Sequence, residues 1–383
     1  MSRHGGGGGR GRTRAAADAE PVRRSVEVEY WVVDDDGELA SPSGLLDATD
    51  GVEREFVEPL VEVKTTPCAT PRELRDELTA RLDAVLRRAD ERGKHLVPLA
   101  TPLRADEIPE HDSARTRVQN RTLGESFAYV RHCAGTHVHV EQWPGHETDQ
   151  LNALTALDPA LALVNSSPYY RGERVAPGAR SDLYRRRAYA DFDRQGRLWP
   201  YLDDTDDWTR RVESCYEAFT AAARDAGVDP DTVESCFDRE SAVWTPVQLR
   251  ESFPTVEWRS PDAALPSDVL RLANTVAGVV GRVRETDVRI GDGGGRVTDD
   301  ELVLPAFDAV RDYVDAAIYD GLTADALRDY LDRMGFAVDA YAPTTRAFEK
   351  QTLSLSEVRE RRLAHARTLE EDVRRTRGVA ERT

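Results

Sequence analysis

Lysine is almost missing from this 383-residue chain: only Lys64, Lys94 and Lys350 occur, so nearly all the positive charge is arginine. Asp and Glu number 70 against 52 Lys and Arg, which sets the formal net charge at -18. Such a charge repels polyphosphate backbones and anionic bilayers, and argues against nucleic acid or a membrane surface as the main partner. An acidic surface with so little lysine fits a protein adapted to a salt-rich cytoplasm, where salt screens self-repulsion and carboxylates hold hydration. The four cysteines, Cys68, Cys133, Cys215 and Cys236, form no C-x-x-C pair. That spacing indicates neither a zinc site nor a disulfide framework, and leaves ordinary reduced thiols. No run approaches 18 uninterrupted apolar residues, and the first twenty, "MSRHGGGGGRGRTRAAADAE", lack the apolar stretch that secretion requires. The expectation is a soluble cytoplasmic protein.

What is present begins with "SVEVEYWVV", residues 25–33, whose Val, Tyr and Trp content reads as a β-strand. Side chains at i and i+2 share a face, so Glu27 and Glu29 lie on one side, with Val26, Val28, Tyr30 and Val32 on the other. Residues 1 to about 22, with five consecutive glycines, are expected to be a disordered tail, and 23–383 a single domain. "DDDGEL", from Asp34, reads as a hairpin turn into a second short strand, and "EFVEPLVEVKTTP" as a strand up to Pro67. A helix follows, with Thr70 as cap, Pro71 in the first turn, and Leu74, Leu78, Leu82 and Val85 at helical spacing. Further on, "GTHVHVEQW" is a strand, "DQLNALTALDPALALVNSS" one or two buried helices, Asp207–Asp225 a helix, "TVEWRS" a strand before a helix after Pro266, and residues 354–378 a charged amphipathic helix. Strands joined by short hairpins and interleaved irregularly with helices point to an α+β fold with a mainly antiparallel sheet.

Two carboxylates about 7 Å apart on one strand face repel unless water screens them or a cation lies between them. A solvated acidic face and a cation site are both open for Glu27 and Glu29. On "EFVEPLVEVKTTP" Glu58 and Glu62 repeat the pattern, with Val57, Val61 and Val63 opposite. Four such carboxylates could supply the hard oxygen ligands that Mg²⁺ takes in nucleotide-using enzymes. In "GTHVHVE", His137, His139 and Glu141 share a face. A mixed oxygen and nitrogen site for Mg²⁺ or Mn²⁺, or simply exposed polar residues, accounts for them. In "TVEWRSPD", Glu257 and Arg259 share a face, either as a cross-strand ion pair or as a metal ligand beside a phosphate clamp. "RIGDGGGR", residues 289–296, lacks the Lys and Ser/Thr of a phosphate loop and is expected to be a flexible turn.

"VEVEYWVVD", "EPLVEVKTTP", "GTHVHV" and "TVEWRSPDA", in this order, resemble glutamate-cysteine ligase family 2, the carboxylate-amine ligases. The resemblance runs over roughly residues 25–285. It implies a glutamine synthetase-like catalytic domain in which a mainly antiparallel sheet forms an active-site funnel, with helices packed outside. It further implies ATP and Mg²⁺ (or Mn²⁺) as cofactors, amino acids as small-molecule partners, no nucleic acid or membrane partner, and compatibility with a homodimer. Position by position, Glu27, Glu29, Glu58, Glu62, His137 and Glu257 match the family's metal ligands. His139 matches its histidine near the nucleotide, and Arg259 the arginine that steadies the transferred phosphoryl group. "NSSPYYRGERVAPGARS" is similar to the substrate-side segment, which makes Arg180 the candidate for the substrate α-carboxylate. The implied reaction joins the glutamate γ-carboxyl to cysteine through an acyl phosphate. A ligase for another acid or amine, and a non-catalytic nucleotide-binding relative, stand as alternatives. Two positions depart from the family pattern: Ser25 replaces the Gly before the first acidic pair, and Glu141 the Gly after H-V-H-V.

The charge balance gives a first test. Thermal unfolding followed in KCl from molar to millimolar concentration should show the melting temperature falling with salt, and an unchanged melting temperature would remove the salt-adapted reading.

Overall fold

In this computed structural model, which describes residues 21–291 and 293–380, the first strand does what its alternation dictates. β1 (Arg24–Asp34) buries Val26, Val28, Tyr30 and Val32 completely, while Glu27 and Glu29 stay partly accessible on the other face. The remaining strands are β2 (Val52–Arg54), β3 (Leu60–Lys64), β4 (Lys94–Val97), β5 (Thr136–Glu141), β6 (Tyr169–Tyr170), β7 (Glu173–Arg174), β8 (Val247–Arg250), β9 (Thr255–Trp258), β10 (Asp287–Gly291), β11 (Arg296–Val297) and β12 (Glu301–Pro305).

Seven strands make the main sheet in the order β2-β3-β1-β5-β9-β8, with β4 also paired to β1. The length of β1 explains the extra partner: its first half pairs with β5, its last four residues with β4, and the middle of its other edge with β3. Every pairing in this sheet is antiparallel, so the chain is α+β as expected. One face is closed by helices. The apolar side of β1 shares a core with Leu74, Leu78, Leu82 and Val85 of helix Pro71–Asp90, Leu272 and Val276 of helix Pro266–Gly281, and Leu369 and Val373 of helix Leu355–Ala380. Covering one face with helices leaves the other to carry polar groups.

The helix start at Thr70 is a capping box: the Thr70 hydroxyl accepts the Glu73 N–H and the Glu73 carboxylate accepts the Thr70 N–H, with Pro71 in the first turn. Three expectations need correction. After the turn at Asp34 no second strand forms, and only a single bridge joins Val33 and Leu39. The strand before Pro67 is shorter than its apolar pattern. Pro59 has no N–H for a ladder, so β3 begins at Leu60, and Glu58 lies in the preceding turn with its own N–H given to the Pro109 carbonyl. Residues 289–296 are not simply a turn: they hold the end of β10 and the start of β11, both paired to β12. Of the expected tail, 1–20 lie outside the described residues, but Val22 packs on the core beside Gly281.

The C-terminal helix Leu355–Ala380 packs rather than floats, and His365 on it lies against Phe348, with ring centroids 5.6 Å apart. Burial, with a contribution from Arg361, pushes its pKa down to about 4. Above the ordinary value near 6.5 both folded and unfolded states are neutral there. As the pH falls below it, the unfolded chain takes a proton that the folded chain refuses, so stability is lost down to about pH 4, by at most about 3 kcal/mol. Urea unfolding of wild type and His365→Gln between pH 7 and 4 should therefore diverge, the wild type losing more; parallel curves would show that His365 carries none of the acid sensitivity.

Candidate metal and substrate site

The antiparallel registers put the polar residues directly beside one another. Glu29 is opposite Glu62, Glu27 is opposite Lys64 on one side and His137 on the other, and His139 is opposite Glu257. Because all of them sit on the same side of the pleat, they form one polar strip across β3, β1, β5 and β9. Three overlapping groups result, each with one ligand atom per residue and those atoms within 4.8 Å of one another: Glu27, His139 and Glu257; Glu27, Glu62 and His137; Glu29, Glu55 and Glu62. Carboxylate oxygens with one imidazole suit Mg²⁺ or Mn²⁺ rather than a soft metal.

The electrostatics of the strip agree with that donor set. Burial opposes the Glu27 anion, but His137 Nδ1 at 3.0 Å and His139 Nε2 at 3.7 Å outweigh it and hold its pKa well down. Burial likewise opposes Glu257, which Arg259, the two histidines and Arg250 keep at about 2. At the other end the balance reverses. Burial and the neighbouring carboxylates raise Glu62 to about 8, and burial with Glu29 and Glu62 raises Glu55 well above the carboxylate range. Close, poorly solvated carboxyls of this kind are stable as anions only beside a cation. One cation is built in: Lys64 Nζ lies 2.8 Å from Glu62, 3.1 Å from Glu53 and 3.7 Å from Glu27.

Gly135, just before β5, explains the first letter of "GTHVHV". A Cβ there would lie 2.1 Å from a terminal nitrogen of Arg180, so only glycine lets that guanidinium in. The Gly135 N–H also donates to Glu29 Oε2 at 2.6 Å. Beside the strip is a cavity of about 280 Å³ whose lining includes Glu29, Glu55 and His137 together with Arg115, Arg180 and Arg259. Phe127, Tyr189 and Trp244 give it an aromatic wall, with Tyr189 and Trp244 stacked at 5.6 Å and 12°.

Of the residues expected from the sequence, Glu27, Glu29, Glu62, His137, His139 and Glu257 are brought together, and Arg259 donates to Glu257 while facing the cavity. Glu58 is not in the three groups, and Glu55, from the loop after β2, stands with Glu29 and Glu62 instead. Arg180 does line the cavity, but both terminal nitrogens donate to main chain, to the carbonyls of Arg259 and Ser260 at 3.0–3.1 Å. Its buried Nε has no hydrogen-bond partner among the described residues. The fork is thus committed to bracing the Arg259 segment, and Nε is the donor left over. Sequence reasoning also missed Arg250, which donates to Glu257 Oε2 at 2.9 Å, and the aromatic wall. An Arg directly before "ESFPTVEW" at hairpin distance was the available signal for the former.

A sequence model of glutamate-cysteine ligase family 2 matches residues 25–380. The chain belongs to this family. A Ruegeria pomeroyi protein provisionally named glutamate–cysteine ligase 2 is 28% identical over 256 residues, 62% of this chain and 59% of the relative. The match thus spans well under two thirds of that protein. A Mycobacterium sp. (strain KMS) protein provisionally named glutamate–cysteine ligase 2-2 is 26% identical over 300 residues, 75% of this chain and 74% of that one. Among solved structures, the fold is similar to a bifunctional glutathione synthetase from Pasteurella multocida, with TM-score 0.57, 13% identity and coverage of 92% of this chain and 53% of that one. It is also similar to a glutamate–cysteine ligase from Francisella tularensis in complex with AMP, with TM-score 0.54, 12% identity and coverage of 95% and 94%. These likenesses establish the glutamine synthetase-like ligase fold that the family membership implies.

The ligand geometry is testable without turnover. Mn²⁺ titration followed by electron paramagnetic resonance should show Glu27→Gln weakening binding at least about tenfold, since Glu27 serves two of the three groups, while Glu58→Gln binds as wild type. Equal affinities for all three proteins would dissolve the assignment.

Proposed function

We propose that this protein is an ATP-dependent carboxylate-amine ligase, which activates the γ-carboxyl of glutamate as an acyl phosphate and joins it to the amine of cysteine. The observation that carries this reading is the continuity of the polar strip: three overlapping carboxylate and histidine groups run to Glu257, whose ion-pair partner Arg259 lines the neighbouring cavity with Glu29, Glu55 and His137. The family match and a similar fold in a ligase bound to AMP support it.

A carboxylate resists attack by an amine, so the γ-carboxylate oxygen first takes the terminal phosphoryl group of ATP, releasing ADP. The amine nitrogen then attacks the acyl carbon, phosphate leaves with the former carboxylate oxygen, and the nitrogen loses a proton. Glu27, Glu29, Glu55, Glu62, His137, His139 and Glu257 would hold Mg²⁺, which when bound neutralises the charge gathered on the phosphates. Arg259 would stabilise the transferring phosphoryl group, and its ion pair with Glu257 fixes the direction of its fork. Arg180 supports that arrangement from behind through the Arg259 and Ser260 carbonyls. Phe127, Tyr189 and Trp244 line one side of the cavity, and apolar walls there would limit the water that competes with the amine for the acyl phosphate.

The aromatic wall also favours a second reading within the same chemistry, an amine bulkier or more apolar than cysteine. ADP release in ATP, Mg²⁺ and high KCl, with amino acids supplied singly and in pairs, separates the two. Glutamate with cysteine should be fastest under the first reading. Arg259→Lys should lower kcat by more than it raises KM for ATP, a loss on the order of 2–4 kcal/mol, because an ammonium cannot reproduce the planar fork. Transfer of ¹⁸O from the glutamate γ-carboxyl into phosphate should accompany turnover. Absence of transfer with every acid and amine would leave only a nucleotide-binding role.

A further inference from the structure

Behind the substrate cavity lies a second one whose lining is mostly guanidinium. It measures about 320 Å³ and is lined by Arg185, Arg186, Arg197, Leu198, Arg311 and Val314, with no carboxylate among them. In a chain of net charge -18 such a concentration of positive side chains needs a reason. Leu183–Ala188 is a π-helix, and the wider turn directs its three consecutive arginines differently. Arg187 turns to Asp182, Arg186 lines the second cavity, and Arg185 lines both cavities and forms the wall between them.

Those arginines are held unequally. Arg185 is 5% exposed and fixed by Asp158, with bonds of 2.7 and 3.0 Å, and by Ser260 Oγ. Arg186 pairs with Asp315, and Arg311 with Asp308 at 3.2 Å within one helix, with the two arginine side chains 41% and 65% exposed. Ion pairs as exposed as these contribute little and yield readily to a better partner. Arg197 has no hydrogen-bond or ion-pair partner among the described residues. Three weakly held forks therefore face one concave space, walled by a buried fourth and by Leu198 and Val314. Planar forks of this kind match oxyanions bidentately, and a single carboxylate or chloride would satisfy only part of the set.

We propose that this cavity is a binding site for small multivalent oxyanions of the phosphate type, distinct from the metal and substrate site. Its position gives the ligand a lever. Asp158 accepts from Arg185, from Trp258 Nε1 at 2.8 Å and from Ser260 Oγ, so the shared wall is tied to the segment that carries Arg259. An oxyanion drawing on Arg185 acts on that network from the side opposite the substrate.

The test is pyrophosphate binding by isothermal titration calorimetry, on the full chain with EDTA and no divalent metal, so that the acidic strip offers nothing to the probe. Saturable one-to-one binding is expected, weakened at least about tenfold in Arg197→Gln/Arg311→Gln with the melting temperature unchanged, and retained in Arg259→Gln. Wild type that does not bind, or a double variant that binds as wild type, would overturn the proposal. Loss of binding in Arg259→Gln would place the probe in the substrate cavity and overturn it equally. None of these readouts requires ligase turnover, so the site stands or falls separately from the function proposed above.

Discussion

Everything in the polar site depends on antiparallel register. A strand exposes its side chains alternately, so each of β1, β3, β5 and β9 can place polar groups on one face only if its neighbours are in step. The pairings Glu29 with Glu62, Glu27 with His137 and His139 with Glu257 are those of direct neighbours across the sheet. A slip of one residue in any of them would carry that strand's carboxylate or imidazole into the core and bring a valine to the site. The apolar face is what prevents such a slip. Val26, Val28, Tyr30 and Val32 are fully buried beneath three helices, so the packing that stabilises the fold also fixes the relative placement of carboxylates and imidazoles from four separate strands.

The same division of labour explains what could be read from the sequence. Alternation is a local property, and each strand with charged and apolar residues in strict succession announced its two faces; Glu27, Glu29, Glu62, His137, His139 and Glu257 followed from it. Where a ligand comes from irregular chain, no period marks it. Glu55 sits in the loop after β2, and its proximity to Glu29 and Glu62 is decided by how that hairpin folds over. Glu58 shows the converse: it has the right parity, but Pro59 interrupts the strand between it and Glu62. The turn at Asp34 and residues 289–296 were misjudged for a related reason, because pairing of short segments is set by what lies alongside them rather than by their own composition.

Arginine roles were the least legible. A sequence with this much arginine gives no sign of which guanidinium is buried against a glycine and which meets solvent. Arg180 lines the cavity beside the polar strip, but its fork holds the Arg259 and Ser260 carbonyls, an arrangement that depends on the missing side chain at Gly135, far away in the sequence. Likewise Arg185 owes its part in separating two cavities to a π-turn and to a buried Asp158, neither of which has a local signature. The family match supplied the neighbourhood, and the contacts supplied the division of tasks within it.

Lys64 is one of only three lysines in the chain, and it lies among Glu27, Glu53 and Glu62. Its ammonium is compact and sits on a flexible stem, where a guanidinium would be broader and would impose its own plane. The side chain behaves as a tethered counterion. The acidic strip is therefore held together with part of its repulsion already cancelled by a neighbouring charge. Part of the charge balance that keeps these carboxylates side by side is thus written into the chain itself.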